Sequence, residues 1–184
     1  MPILLGIDPG LASMGVAVVE KNGTDLRVVA LHVLRTAKSS KKRGVLQSED
    51  TTERLRSLHR ALDDVITRHG PAAVCMESFS PPRSASVAAK CGMAVGLVVG
   101  LAADYGLPIF QASPQTIRRR LGLPKGATKQ EVWAAVDGRL ARSGDVRPVW
   151  ALAWPPGKVP PTSQQEHALD ALAVAVACAP EMVG

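Results

Sequence analysis

"PILLGIDPGLASMGVAVVEKNGTDLRVVALHVLRT" occupies residues 2–36. Its first apolar run, Ile3 to Ile7, stops at Asp8-Pro9-Gly10, the pattern of a short buried strand closed by a tight turn. Two further runs, "MGVAVVEK" and "LRVVALHVLRT", flank Asn22-Gly23, a dipeptide suited to a tight hairpin because it tolerates positive φ. Three consecutive antiparallel strands are expected.

Downstream the period changes. A polar, basic connection, "AKSSKKRGVLQSE" (37–49), leads to Asp50 and Glu53, which have capping-box spacing for a helix over residues 51–70 with Leu55, Leu58, Leu62, Val65 and Ile66 as its apolar stripe. "AAVCME" (72–77) reads as a buried strand, Ser84 to Tyr105 as a long helix, and "LPIFQAS" (107–113) as a fifth strand. Ser113 suits an N-cap before Pro114, and Thr128 with Glu131 forms a capping box for a helix over 129–144. No regular element fits the Pro-rich residues 144–162, and Ser163 with Glu166 has capping-box spacing for the last helix. The order implies an α/β fold: one five-stranded mixed sheet, three antiparallel meander strands plus two further strands, with helices on both faces, in a single domain spanning residues 1–184.

The helix over 84–105 is apolar on nearly all sides, but its uninterrupted run from Cys91 to Ala103 is thirteen residues, short of the roughly 20 that a bilayer needs. A membrane span is therefore not expected, and Gly92, Gly96 and Gly100, recurring every four residues, form a face that admits close backbone approach by the sheet or by a second copy of the chain. Cys75, Cys91 and Cys178 are widely spaced and odd in number, which fits buried thiols rather than a disulfide framework or a zinc site. With no secretory-signal pattern at the N-terminus, a cytoplasmic location is the expectation.

Twenty-two Lys and Arg stand against 16 Asp and Glu, a formal charge of +6 that favours a polyanionic partner. With only two Phe, one Tyr and three Trp, a partner held by stacked bases is disfavoured, and a phosphate backbone is the better handle.

Against that background several acids are out of place. Asp8 ends the first apolar strand, Glu77 ends "AAVCM", and Asp170 sits among Leu169, Ala171 and Leu172, with His167 one turn earlier on the same face. A desolvated carboxylate must be paired or coordinate a metal. Oxygen ligands without cysteine suit Mg²⁺ or Mn²⁺, and two such ions about 3.5–4 Å apart can activate a water and stabilise the leaving oxygen at a phosphodiester. Glu166 has a cap role available to it already.

Three stretches, "GIDPGLASMGVAVVE", "VCMESF" and "HALDALAVAVA", resemble in order and spacing the signatures of RuvC, the Holliday-junction resolvase family of the RNase H-like superfamily. The resemblance runs from residue 3 to about residue 178. It implies an RNase H-like fold and a homodimer that nicks two opposed strands of a four-way junction, with a branch-migration helicase as a candidate partner. Asp8, Glu77, His167 and Asp170 take the catalytic, metal-ligand positions for two Mg²⁺ ions, with Mn²⁺ as a substitute, and His167 stands where many relatives have Asp. Arg118 and Lys129 fall near phosphate-contacting positions, with Arg119, Arg120 and Lys125 between them; Lys41, Lys42 and Arg43 form a further candidate DNA contact in a loop that looks enlarged. The aromatic that the family commonly has three residues after its glutamate is replaced by Ser80, with Phe79 one position earlier. Alternatives are a related YqgF-type nuclease acting on RNA or other branched DNA, and a non-catalytic junction-binding module. An actin-like ATPase is excluded by length and by the absence of a P-loop.

Overall fold

Parity along β1 (Ile3–Asp8) sets the layout of the molecule. Successive strand side chains alternate faces, so Leu5 and Ile7 enter one core while Leu4, Gly6 and Asp8 face the other side. The computed structural model describes residues 1–39, 46–78, 84–140 and 162–181. β1 pairs antiparallel with β2 (Ser13–Asn22), and β2 antiparallel with β3 (Asp25–Arg35) through a turn in which Gly23 takes φ 60°. On its other edge β1 pairs parallel with β4 (Ala73–Glu77), and β4 parallel with β5 (Ile109–Ala112), giving the order β3-β2-β1-β4-β5. The expected meander and the mixed five-stranded sheet are both present.

Helices α1 (Gln47–His69) and α2 (Ala85–Asp104) cover one face, where Leu58, Leu62, Ala94 and Val98 pack on Leu5, Ile7, Val16 and Met76. The other face carries α3 (Pro114–Arg120), α4 (Lys129–Asp137) and α5 (Thr162–Cys178), with Ile117, Val132 and the buried run Ala171–Cys178 against Leu4, Ala17 and Cys75. α5 lies close on the sheet because two strand glycines clear its path. A Cβ at Gly6 would collide with the carbonyl oxygen of Ala171, and one at Gly15 with that of His167. The last helix is thereby held against the central strands at the level of Asp8.

Local signals located most helix starts. Ser113 Oγ accepts from the Thr116 amide at 3.1 Å, and Thr128 with Glu131 forms the expected reciprocal box, the Thr128 amide donating to Glu131 at 2.6 Å. α1 departs from expectation by beginning at Gln47, where Glu49 accepts from the Leu46 amide at 3.1 Å. Asp50 does not cap it; its carboxylate accepts from the Ser39 amide at 2.6 Å and so ties down the preceding connection. The buried Arg54, part of no apolar stripe, donates from Nε to Thr36 at 2.8 Å, and Thr36 in turn donates to the Leu11 carbonyl at 2.5 Å, bracing the turn beyond Asp8. α5 is already helical at Thr162, so Ser163 is inside the helix rather than at its cap; the Ser163 side chain lies outside the described residues, as do most of the 144–162 connection and Phe79 and Ser80.

α2 corrects two expectations. Among the described residues, no atom other than its own helix backbone comes within 4 Å of a Cβ built at Gly92, Gly96 or Gly100, so the sheet does not use that face; Ala94, Val98, Leu101 and Ala102 do the packing. Its twenty residues are also long and apolar enough to cross a membrane, Lys90 notwithstanding, although its packed stripe belongs to the core beneath the sheet. Cys75 and Cys178 are buried as expected, whereas Cys91 is partly exposed.

Candidate active site

β1 and β4 are adjacent and parallel, with Ile7 opposite Met76, so the next residues along, Asp8 and Glu77, emerge side by side on the α5 face. α5 crosses above them and contributes His167 and Asp170, one turn apart. All four line one cleft of about 430 Å³, with Arg118 and Pro114 of α3 and Lys129 and Val132 of α4 on its far wall. The tertiary structure thus brings together the four side chains that the sequence singled out.

Their pairing was not legible in the sequence. His167 donates from Nδ1 to Asp8 Oδ2 at 2.7 Å. Lys129 Nζ donates to Asp170 Oδ2 at 2.7 Å and lies 3.5 Å from Glu166 Oε2, while Trp133 Nε1 donates to the other Asp170 oxygen at 3.4 Å. Lys129 and Trp133 are four residues apart on α4, so they share a face and grip the same carboxylate. Trp133 escaped the sequence reading, although that spacing was available to find it. Glu166 faces Lys129, while the side chain of Ser163, its expected capping partner, lies outside the described residues.

The electrostatics are those of a carboxylate cluster short of positive charge. Burial, then the negative charges of Asp8 and Asp170, push the Glu77 carboxyl up to about 7 from an ordinary 4.5, with Lys129 and Arg118 opposing. Asp170 is also raised, by burial above all, with the Lys129 hydrogen bond and charge acting against that. His167 is raised, chiefly by its hydrogen bond to Asp8 against the cost of burial. Burial works against the Lys129 ammonium, but the hydrogen bond and charge of Asp170 and the charge of Glu166 prevail and raise it.

Three carboxylates and an imidazole around one cleft fit a hard divalent cation, and the elevated Glu77 shows what an unmatched cluster costs. As they stand, no three such groups among the described residues form a ready ligand set; His167 is engaged by Asp8 and Asp170 by Lys129. Of the candidate DNA-binding residues, Arg118 and Lys129 line the cleft, with Arg118 Nε held on the Ala127 carbonyl at 3.0 Å. Arg119 and Lys125 are exposed but do not line it, and Arg120 pairs with Glu181 instead. Lys41, Lys42 and Arg43 lie outside the described residues.

A family model described as crossover junction endodeoxyribonuclease RuvC matches residues 4–152. The RuvC of Natranaerobius thermophilus is 30% identical over 130 residues, 71% of this chain and 75% of that one. The Pseudomonas putida protein is 31% identical over 136 residues, covering 74% of this chain and 72% of its own length. Among solved structures, T. thermophilus RuvC in complex with a Holliday junction substrate superposes with a TM-score of 0.74 at 28% identity, over 97% of this chain and 93% of that one. The family-model match contains Asp8 and Glu77 but stops before α5, so the structural similarity is what extends the correspondence to the helix carrying His167 and Asp170. With the match spanning both sheet-borne acids and the likeness of fold spanning nearly the whole chain, this protein belongs to the crossover junction endodeoxyribonuclease RuvC family.

Proposed function

We propose that this protein resolves four-way DNA junctions by metal-dependent hydrolysis of opposed phosphodiesters, acting as a homodimer. The observation that carries the reading is the convergence of Asp8, Glu77, His167 and Asp170, from two strands and a helix, on one cleft flanked by Arg118 and Lys129. Asp8, Glu77, His167 and Asp170 would hold Mg²⁺, or Mn²⁺ in its place, which supplies a water nucleophile at neutral pH and charge stabilisation at the scissile phosphate. The chain's own groups do the rest. Asp8 and Glu77 sit on paired strands, a rigid base that fixes the spacing of the ligand set. Arg118, anchored on the Ala127 carbonyl, is placed to orient a phosphate at the far wall. His167 must be neutral to act as a ligand, and its present partner Asp8 favours the protonated ring.

Stoichiometry and surface both favour a homodimer. Paired nicks in opposed strands need two such clefts, and the described residues of one chain hold one cleft with these four ligands. The open Gly92, Gly96 and Gly100 face of α2, with the exposed apolar Met93 and Val99, supports a helix-to-helix contact between copies.

The test is cleavage of a mobile four-way junction in Mg²⁺ with both nick positions mapped, beside three-way, linear and RNA-containing substrates. Symmetric paired nicks confined to the four-way junction are expected. Equal cleavage of linear or RNA substrates would assign the broader YqgF-type nuclease activity, and metal-independent binding without cleavage would leave only a junction-binding module.

A further inference from the structure

Lys129 is poorly placed for its own helix. It is the first residue of α4, where the positive end of the helix dipole disfavours a cation, and its side chain turns away to Asp170 at 2.7 Å and Glu166 at 3.5 Å on α5. The Thr128–Glu131 capping box fixes where the lysine stem begins, so the ammonium is delivered to the cleft by a rigid helix end rather than by a wandering loop. Both oxygens of Asp170 are engaged from α4, one by Lys129 and one by the Trp133 indole. The Lys129 ammonium therefore stands on a carboxylate oxygen that a divalent cation would use.

We infer that Lys129 is a resident counter-cation of the metal-free site: it neutralises Asp170 until a divalent ion displaces it, and the displaced ammonium then becomes the phosphate contact on the DNA side of the cleft. This rests on the reading of Asp170 as a metal ligand. Lysine suits such an exchange, being a compact point charge on a flexible stem rather than a bidentate fork. The exchange makes metal and DNA loading reciprocal, since a phosphate that draws Lys129 away from Asp170 raises metal affinity by the factor with which metal raises DNA affinity through the same lysine. It also keeps two cations from competing for one carboxylate once the substrate is in place.

Isothermal titration of Mn²⁺ into DNA-free protein tests the first half. Lys129→Met should bind Mn²⁺ about threefold or more tightly than the native protein, the scale set by loss of a partly exposed ion pair, while Lys129→Arg, which keeps the positive charge and adds a bidentate fork, should bind no more tightly than native. Equal or weaker binding by Lys129→Met overturns the inference. Asp170→Asn serves as the separate control: if it binds Mn²⁺ as well as the native protein, the metal-ligand reading itself fails.

Junction binding against salt tests the second half, in EDTA and in Ca²⁺ as a probe metal, with cleavage products checked on gels. With Ca²⁺ the salt slope of Lys129→Met should be lower than native by about one phosphate contact, and in EDTA the two slopes should coincide because the lysine is still held by Asp170. A drop of the same size in both conditions would mean that Lys129 contacts phosphate regardless of metal, and no drop in either would mean that it never does; each overturns the exchange.

Discussion

His167 and Asp8 lie 159 positions apart in the chain and meet at 2.7 Å, Nδ1 to Oδ2. The contact joins the end of the central strand to the start of the last helix, and it exists because Gly15 admits the His167 backbone against the sheet. It also sets the protonation of the ring, since the hydrogen bond to Asp8, against burial, raises the imidazole pKa.

In the metal-free protein this pair makes stability depend on pH in a defined direction. A histidine with a raised folded-state pKa contributes stability in full below its unfolded value of about 6.5 and loses that contribution as pH rises through the folded value. Calorimetry in EDTA should therefore show His167→Gln lowering Tm more at pH 6 than at pH 8.5. A deficit that widened with pH would contradict the pairing.

Catalysis should respond in the opposite sense. Protonated His167 cannot ligate a metal, so at limiting Mg²⁺ cleavage should fall off on the acid side at a pH above the ordinary imidazole value, and the fall should move to lower pH as Mg²⁺ is raised. His167→Asp should retain Mg²⁺-dependent cleavage and lose that limb of the profile, since a carboxylate at this position stays ionised. Rate–pH profiles at two Mg²⁺ concentrations check both statements.

Glu77 and Asp8 should separate stability from activity. With its carboxyl pushed up to about 7, chiefly by burial, Glu77 is costly when charged. For an acid raised in this way the cost is absent below the usual 4.5 and complete above about 7. Glu77→Gln should stabilise the metal-free protein at pH 8 by about 1–2 kcal/mol, after allowance for solvent screening, with the gain vanishing towards pH 4.5. The same variant, like Asp8→Asn, should bind junctions and fail to cut them. Urea melts at two pH values and a cleavage gel give the readouts; an Asp8→Asn protein of native activity would reject the site.

Gly15 should be intolerant of even one methyl group. A Cβ there meets the His167 carbonyl, which is backbone and cannot swing aside, so α5 must shift. Gly15→Ala should cost about 1–3 kcal/mol or more, as overpacking does, and should reduce cleavage beyond what the folded fraction explains because His167 and Asp170 move with the helix. Gly92→Ala on the open face of α2 should leave the stability of the isolated chain nearly unchanged or slightly improved, which denaturant melts at low protein concentration would show.

Much of the architecture was written in local pattern. The apolar runs at 3–7 and 14–19 with Asn22-Gly23 fixed the meander, and alternation put Asp8 on the same side of β1 as Gly6. Asp8, Glu77, His167 and Asp170 stood out because ionisable groups in apolar surroundings are costly wherever they fold. Caps at Ser113 and Thr128 held because their partners are three residues away. Asp50 is the contrast: its spacing suited a cap, but the Ser39 amide, eleven positions earlier, claimed its carboxylate and the helix began at Gln47.

The partners inside the cleft were decided by the tertiary structure. Spacing in the sequence told that His167 and Asp170 share a helix face, yet not that Asp8 would take the imidazole while Lys129 and Trp133 took the Asp170 carboxylate. Nor could it tell the glycines of β1 and β2, which clear a path for α5, from those of α2, which no other described residue approaches. Sequence carries the period of an element and the chemical type of each side chain, because both are local; which groups meet depends on how closely a helix is allowed to approach a sheet, and that is settled by the absence or presence of atoms on the opposite element.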